Sequence, residues 1–207
     1  MKIYKHILGR GISKNRFSVA IFGSARIKHD KPMYKKVYGL AKLLAERNYD
    51  VVTGGGPGLM EAANAGHRAG NRGNGSRSVG LGIKLPREQG FNKNLDRVEE
   101  FIRFTGRLDR FMLLSNAVVV ASGGVGTLLE LFYTWQLVQV NKKRDIPIIL
   151  LGPMWPGLLK WLREQPLKDN YFSKEDYDML VFAKDEKNAI RIIDEANRKF
   201  EDSKRGK

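Results

Sequence analysis

The 207-residue chain contains no cysteine, which excludes disulfides, thiolate metal sites and a cysteine nucleophile. Its three histidines, His6, His29 and His67, stand far apart in sequence, so a zinc site built on histidine is not expected. Long apolar runs are missing too. Nothing approaches the roughly 18 consecutive apolar residues of a membrane-crossing helix. The stretch MKIYKHILGRGISKNRF carries lysines without the apolar centre of a secretory signal, so a soluble, cytoplasmic protein is expected, with no membrane partner. Carboxylates are scarce relative to cations: 22 Asp and Glu stand against 37 Lys and Arg, a net charge of +15.

That imbalance suits a phosphate-bearing partner, from nucleotides up to RNA. It is uneven, since seven Lys or Arg precede the first carboxylate, Asp30. Three regions are expected: a basic N-terminal arm over 1–16, one domain over 17–200, and a basic C-terminal tail over 201–207. The arm could bind RNA or merely keep the protein in solution. No aromatic platform or RNA-recognition signature accompanies it.

What the chain does have is a regular alternation of strand and helix patterns. Strands are expected at Phe17–Phe22, Asp50–Thr53, Ser78–Ile83, Glu99–Phe104, Ala117–Ala121, Ile146–Leu151 and Met179–Phe182. Helices are expected at Tyr34–Arg47, Gly58–Ala69, Arg107–Asn116, from Gly126 to about Val140, at Trp155–Arg163 and at Asn188–Phe200. AVVVA, apolar on both faces, reads as a central parallel strand. The fold class is therefore α/β: a single domain with a doubly wound, mostly parallel, Rossmann-like sheet and helices on both faces.

In such sheets ligands bind beyond the carboxyl ends of the strands. Three strand ends here carry special chemistry: Gly23-Ser24-Ala25-Arg26, Gly54–Gly58 and Ser122–Thr127. Glycine lets backbone N–H groups approach a phosphate, and the dipole of a following helix favours the anion. Neither of the two glycine-rich loops continues as GK[ST], and neither fits GxGxxG with an acidic residue about 20 positions on, so a P-loop and a dinucleotide site are not supported. Glu130, three residues after Thr127, falls near the start of the next helix, beside the phosphate end or in a capping box with Thr127. Arg107, opening the preceding helix, either meets the same crevice or is a surface arginine near an interface. Asp109 is a lesser carboxylate candidate. Ser24 and Arg26 either touch the ligand or form a capping turn.

TGGGPGLMEAANAG (Thr53–Gly66) together with GGVGTLLE (Gly123–Glu130) resembles the LONELY GUY family of cytokinin-activating nucleotide phosphoribohydrolases, whose bacterial members have carried the label "possible lysine decarboxylase". The family's GGGxxGxM is complete here as Gly54, Gly55, Gly56, Gly58 and Met60, and PGGxGTxxE is complete except that Ser122 replaces proline. An Arg-Lys pair precedes that proline by 15 residues in the family; Arg107 holds the arginine position and Leu108 the lysine position. VAIFGSAR, LGIKLPREQGFN and PIILLG also look like its longer bacterial branch.

The resemblance implies hydrolysis of the N-glycosidic bond of a nucleoside 5′-monophosphate, AMP or an N6-modified AMP, to free base and ribose 5-phosphate, without cofactor or metal. It implies Arg107 and Glu130 as the catalytic pair. Gly54, Gly55, Gly56, Gly58, Met60, Gly123, Gly124, Gly126 and Thr127, with Ser24, would bind substrate. It also implies a homodimer or larger homo-oligomer, for which the bulky Phe132-Tyr133-Thr134-Trp135 offers a surface or alternatively core packing. The Lys84–Asp96 loop is the expected seat of base preference. Lysine decarboxylation is not expected, because neither glycine loop supplies a lysine for a pyridoxal Schiff base. The alternative is a nucleotide-binding carrier or sensor on the same fold that does not hydrolyse.

Overall fold

The computed structural model describes residues 16–73, 75–84, 90–140 and 146–205. Nearly all of the basic arm, part of the Lys84–Asp96 loop and the last two residues lie outside them. Seven strands form one sheet: β1 (Ser18–Phe22), β2 (Asp50–Thr53), β3 (Ser78–Ile83), β4 (Arg97–Phe101), β5 (Ala117–Val120), β6 (Ile148–Leu151) and β7 (Leu180–Ala183). Their spatial order is β4-β3-β2-β1-β5-β6-β7, and every neighbouring pair is parallel. The helices are α1 (Pro32–Glu46), α2 (Leu59–Gly70), α3 (Phe104–Leu114), α4 (Val125–Gln139), α5 (Trp155–Leu162), α6 (Lys174–Asp178) and α7 (Glu186–Arg205), with a π-helical turn at Arg163–Leu167. The expected doubly wound α/β architecture is the observed one.

Strand alternation sends side chains of one strand to opposite faces, and two cores result. Val19 and Ile21 of β1 join the core under α1, α2 and α7, whereas Ala20 and Phe22 join the one under α3, α4 and α5. Within α1, Tyr34, Val37, Leu40, Ala41 and Leu44 recur at helical spacing and are buried, which explains why this segment helps cover the sheet. Its end is built by Asn48 in the left-handed region (φ 63), with Asn48 N–H donating to the Ala45 carbonyl (2.9 Å) and Tyr49 N–H to that of Leu44 (3.0 Å), a Schellman closure. β5 is fully buried on both faces, as its continuous apolar pattern required.

Differences from the sequence reading are local. β4 lies two to three residues earlier than expected, at Arg97–Phe101, and only partly buried. It is an edge strand with charges at Arg97, Glu99 and Glu100, so apolar periodicity marks it weakly. α6 and the π-helical turn were not anticipated, and α7 continues to Arg205. Arg16, at the end of the expected arm, is tied down by a 2.6 Å bond to Asn48 and a 3.5 Å ion pair with Asp50. Among the described residues no helix is long and apolar enough to cross a membrane.

The chain order reverses direction at β1: one half winds outward through β2, β3 and β4, the other through β5, β6 and β7. The loops after β1 and β5 therefore leave the sheet toward opposite faces and open a crevice between them.

Candidate functional site

The crevice holds a cavity of about 980 Å³. Its walls come from five strand ends: Ser24 and Arg26 after β1, Gly54, Gly56 and Met60 after β2, Lys84 after β3, Glu100 and Phe104 around the end of β4, and Gly124, Val125, Gly126, Thr127 and Glu130 after β5. Arg107 of α3 also lines it.

Arg107 and Glu130, 23 residues apart in sequence, meet here: Arg107 Nη1 donates to Glu130 Oε1 at 3.2 Å, with both side chains 11% exposed. The guanidinium is aimed by two further contacts. Its Nε donates to the Leu81 carbonyl at 2.7 Å, and its Cζ lies 5.2 Å from the centre of the Phe111 ring. Burial pushes the Glu130 carboxyl up to about 7, although the Arg107 charge and hydrogen bond pull it down. The result is a carboxyl able to change protonation near neutrality, held beside a fixed cation.

The helix start explains why Glu130 faces the cavity. The residue before the first turn of α4 is Gly124, and no side chain caps the helix. Thr127 and Glu130 therefore form no capping box. Val125, Gly126 and Thr127 of that first turn line the cavity, and the N–H groups of a helix's first turn are free of intrahelical partners, so an oxyanion can accept from them.

In the first glycine loop an added Cβ meets side-chain ends at one position and backbone at another. A Cβ on Gly54 would lie 2.5 Å from Arg107 Nη2 and 2.6 Å from Met60 Sδ. Gly55 (φ 76) and Gly58 (φ 68) take left-handed conformations, and a Cβ on Gly58 would collide with the backbone of Ser24 and Ala25. The loop is held to the first strand end, because Leu59 N–H donates to the Ser24 carbonyl (2.9 Å) and Ser24 N–H to that of Ser122 (3.0 Å).

Most expected site residues thus converge. Gly55, Gly58 and Gly123 do not line the cavity; they allow the close packing behind it, Gly123 against the Thr127 side chain. Ser24 does both things suggested for it, lining the cavity while its Oγ accepts from Arg26 N–H at 3.1 Å. Asp109 is not brought to the cavity and instead accepts from Tyr133 Oη at 2.5 Å. Leu108 is 4% exposed and absent from the cavity wall, so the cation that the resemblance puts there is not missing from the wall. Ser122, in place of proline, supplies the carbonyl that joins the first and fifth strand ends. Lys84 is an exposed lysine on the wall; the glycine loops contribute none.

Sequence reasoning missed the roles of Phe91 and Asn92. The Phe91 ring fills space left by two glycines, Gly55 and Gly82, and lines the cavity. Asn92 bonds to the first glycine loop from behind. A signal existed in Asn64: a fully buried amide on α2, flanked by Ala62 and Ala63, must have polar partners. Among the described residues no group of three or more His, Asp or Glu side chains converges as a metal ion requires.

Residues 60–193 match the family described as "possible lysine decarboxylase". The chain is 28% identical over 141 residues to the pyrimidine/purine nucleotide 5′-monophosphate nucleosidase of Escherichia coli (strain K12), covering 65% of this chain and 31% of that protein. The same protein of Escherichia coli O157:H7 matches equally. The chain thus spans about a third of the length of the curated relatives it matches. The molybdenum cofactor binding protein from Rippkaea orientalis superposes with a TM-score of 0.65 at 20% identity, over 88% of this chain and 98% of that one. The Moco carrier protein from Chlamydomonas reinhardtii gives 0.64 at 22% identity, over 89% and 99%. At such identities the likeness establishes the shared fold.

Proposed function

The chain belongs to the possible lysine decarboxylase, or LONELY GUY, family, and from that membership we propose that it is a nucleoside 5′-monophosphate phosphoribohydrolase. It cleaves the N-glycosidic bond of AMP or an N6-modified AMP, releasing the base and ribose 5-phosphate. The nucleosidase relatives support the reaction class. The observation that carries the reading is the Arg107–Glu130 pair, buried and facing a cavity walled by two glycine loops.

The chemistry follows from that arrangement. The 5′-phosphate sits on the first-turn N–H groups of α4, and that remote binding energy fixes the anomeric carbon near Glu130. As the bond to the base breaks, the ribose takes on oxocarbenium character. The Glu130 carboxylate stabilises that positive charge and accepts the proton of the attacking water. Water adds its oxygen to the anomeric carbon, and the departing base keeps the electron pair of the broken bond and gains a proton. Arg107 holds the carboxylate in place and offsets negative charge on phosphate or base. The cavity, at about 980 Å³, is roomy for a mononucleotide, which leaves space for a substituent on the base.

The protein acts as a homo-oligomer in this reading, its contact centred on α4. Leu129 (45% exposed) and Phe132 (41%) form an apolar stripe on the outer side of that helix, continued by Val125 at the cavity mouth and by Val140 just past the helix end, although its inner side already supplies Leu131, Trp135 and Val138 to the core. The decarboxylase label is not adopted, since neither glycine loop offers a lysine. A purified protein without pyridoxal absorbance is the expected result.

A second reading, a nucleotide carrier or sensor without hydrolysis, draws on the names of the two solved neighbours, a cofactor binding protein and a cofactor carrier. One assay separates them. The protein is incubated with AMP, GMP, CMP, UMP and N6-isopentenyl-AMP, and free base and ribose 5-phosphate are followed by chromatography, with Glu130→Gln as control. Release by the wild type alone supports the hydrolase; saturable AMP binding with no release supports the carrier.

A further inference from the structure

Behind the first glycine loop lies a buried polar chain that ties α2 to β2 and β3 and then runs on to the loop itself. Thr53 Oγ1 donates to Asn64 Oδ1 (2.9 Å), and Asn64 Nδ2 donates to Ser78 Oγ (2.8 Å). Thr53, Asn64 and Ser78 are all 1% exposed or less. The chain ends on Asn92, whose Nδ2 donates to Asn64 Oδ1 (2.9 Å), to the Gly55 carbonyl (2.9 Å) and to the Gly56 carbonyl (3.0 Å). Asn92 N–H also donates to the Gly55 carbonyl, at 2.8 Å. Two amide groups of one residue thus draw the same loop carbonyl away from the cavity.

A trans peptide carries its C=O and N–H on opposite sides. Fixing the Gly55 carbonyl toward Asn92 therefore turns the Gly56 N–H toward the cavity, which Gly56 lines and Gly55 does not. Among the described residues the Gly56 N–H has no protein acceptor. The next nitrogen belongs to Pro57 and has no hydrogen to offer. The loop consequently presents one donor at this point, and its direction depends on Asn92. The neighbour Phe91 adds to the constraint, since its ring occupies the space above Gly55 and Gly82.

We propose that Asn92 is a positioning residue: by holding the Gly55 and Gly56 carbonyls back, it aims the Gly56 N–H at a sugar-phosphate oxygen of the nucleotide. This inference rests on the nucleotide reading of the cavity and adds a residue that neither family motif contains. Asn92 touches the loop and not the substrate, so its loss acts through orientation. An isosteric aspartate removes the side-chain donors and sets a carboxylate against two carbonyls, which turns the peptide.

The test compares Asn92→Asp with Asn116→Ala in the full chain. Asn116 Oδ1 accepts from Ser18 N–H (3.0 Å) at the amino end of the sheet, far from the cavity, so its loss reports on stability alone. Asn92→Asp is expected to raise KM for AMP, and Kd for ribose 5-phosphate, about tenfold, the worth of one hydrogen bond to a charged oxygen, while kcat falls by less than about threefold. Asn116→Ala is expected to lower Tm without moving KM. If Asn92→Asp does not fold, Asn92→Ser, keeping a single hydroxyl donor, carries the same comparison. An active wild type whose KM is unmoved in a folded Asn92 variant overturns the positioning role and leaves the hydrolase reading intact. Equal KM increases in the Asn92 and Asn116 variants overturn it too. A wild type that neither hydrolyses AMP nor binds ribose 5-phosphate removes the nucleotide reading, and this inference with it.

Discussion

Arg107 touches Glu130 at 3.2 Å while its Nη2 occupies the space that a side chain on Gly54 would need. One guanidinium therefore joins the two glycine motifs, the first by close approach and the second by an ion pair. Neither motif is a site alone; the cation makes them one.

Replacing Glu130 by Gln is expected to lower kcat by about 10³-fold or more, in the range of losses at general acid–base and electrostatic positions. The shape is preserved and only the charge and proton acceptor are lost. A variant with wild-type turnover in the base-release assay would remove Glu130 from the chemistry.

The pH profile tests which protonation state works. Stabilising an oxocarbenium and accepting a proton from water both require the carboxylate, and burial places the carboxyl at about 7. Accordingly kcat/KM should rise as pH increases through about 7 and then level off. A profile that falls through the same range would mean that Glu130 works as an acid.

Stability has the opposite dependence. The folded-state pKa of Glu130, about 7, lies above its ordinary 4.5. Between those values the folded protein binds a proton that the unfolded chain releases, so raising pH across this window destabilises the fold. Asp50, raised by burial to about 6 from 3.8, acts with the same sign. Urea titrations of wild type and Glu130→Gln from pH 4 to 8 isolate the first contribution: the wild type should lose stability relative to the variant as pH rises. Parallel curves would contradict the burial of an ionisable carboxyl at this position.

Gly54→Ala offers a gentler probe than deleting the arginine. Its Cβ displaces the guanidinium and the Met60 thioether, which are side-chain ends and not backbone, so the fold should survive. Activity should drop about 10- to 100-fold, as expected of a reactive group moved by roughly 1 Å. Arg107→Ala should cost more. Gly58→Ala, which meets backbone at a left-handed position, should instead lower Tm, by an amount equivalent to about 1–3 kcal/mol. Thermal melts beside activity assays distinguish the two kinds of glycine.

The α4 stripe predicts an assembly. Leu129→Glu together with Phe132→Glu should shift the protein to monomers in sedimentation velocity, because a charge on an apolar contact is left unpaired. A wild type that sediments as a monomer at micromolar concentration would dispose of the oligomer.

The strands, the doubly wound fold class and the approach of Arg107 to Glu130 were legible because they rest on local pattern: apolar runs, glycine punctuation and spacing from a recognisable motif. Arg107 and Glu130 could be named before their contact was known. Asn92 could not, since its partners, the carbonyls of Gly55 and Gly56, are backbone groups about 36 residues away; an asparagine in a loop carries no mark of what it will clasp. Phe91 was hidden similarly, its place fixed by the absence of side chains at Gly55 and Gly82. Asp109 was misjudged for the converse reason. Proximity to Arg107 in sequence turned it away from the cavity, toward Tyr133, as neighbours on a helix face different directions.

The parallel pairing of β1 with β5, in which Val19 stands beside Ala117, has a consequence in time. The cavity wall draws on every strand end from β1 to β5, so no early local structure contains the whole site. Loop closure from β1 to β5 is slow compared with formation of the α1–β2–α2 segment. During synthesis, the first glycine loop is complete well before Arg107 and Glu130 have left the ribosome, and the wall lacks Glu130 until β5 and the start of α4 are in place. Competence to bind nucleotide should therefore appear late and abruptly as the chain grows, marking closure of the sheet's centre.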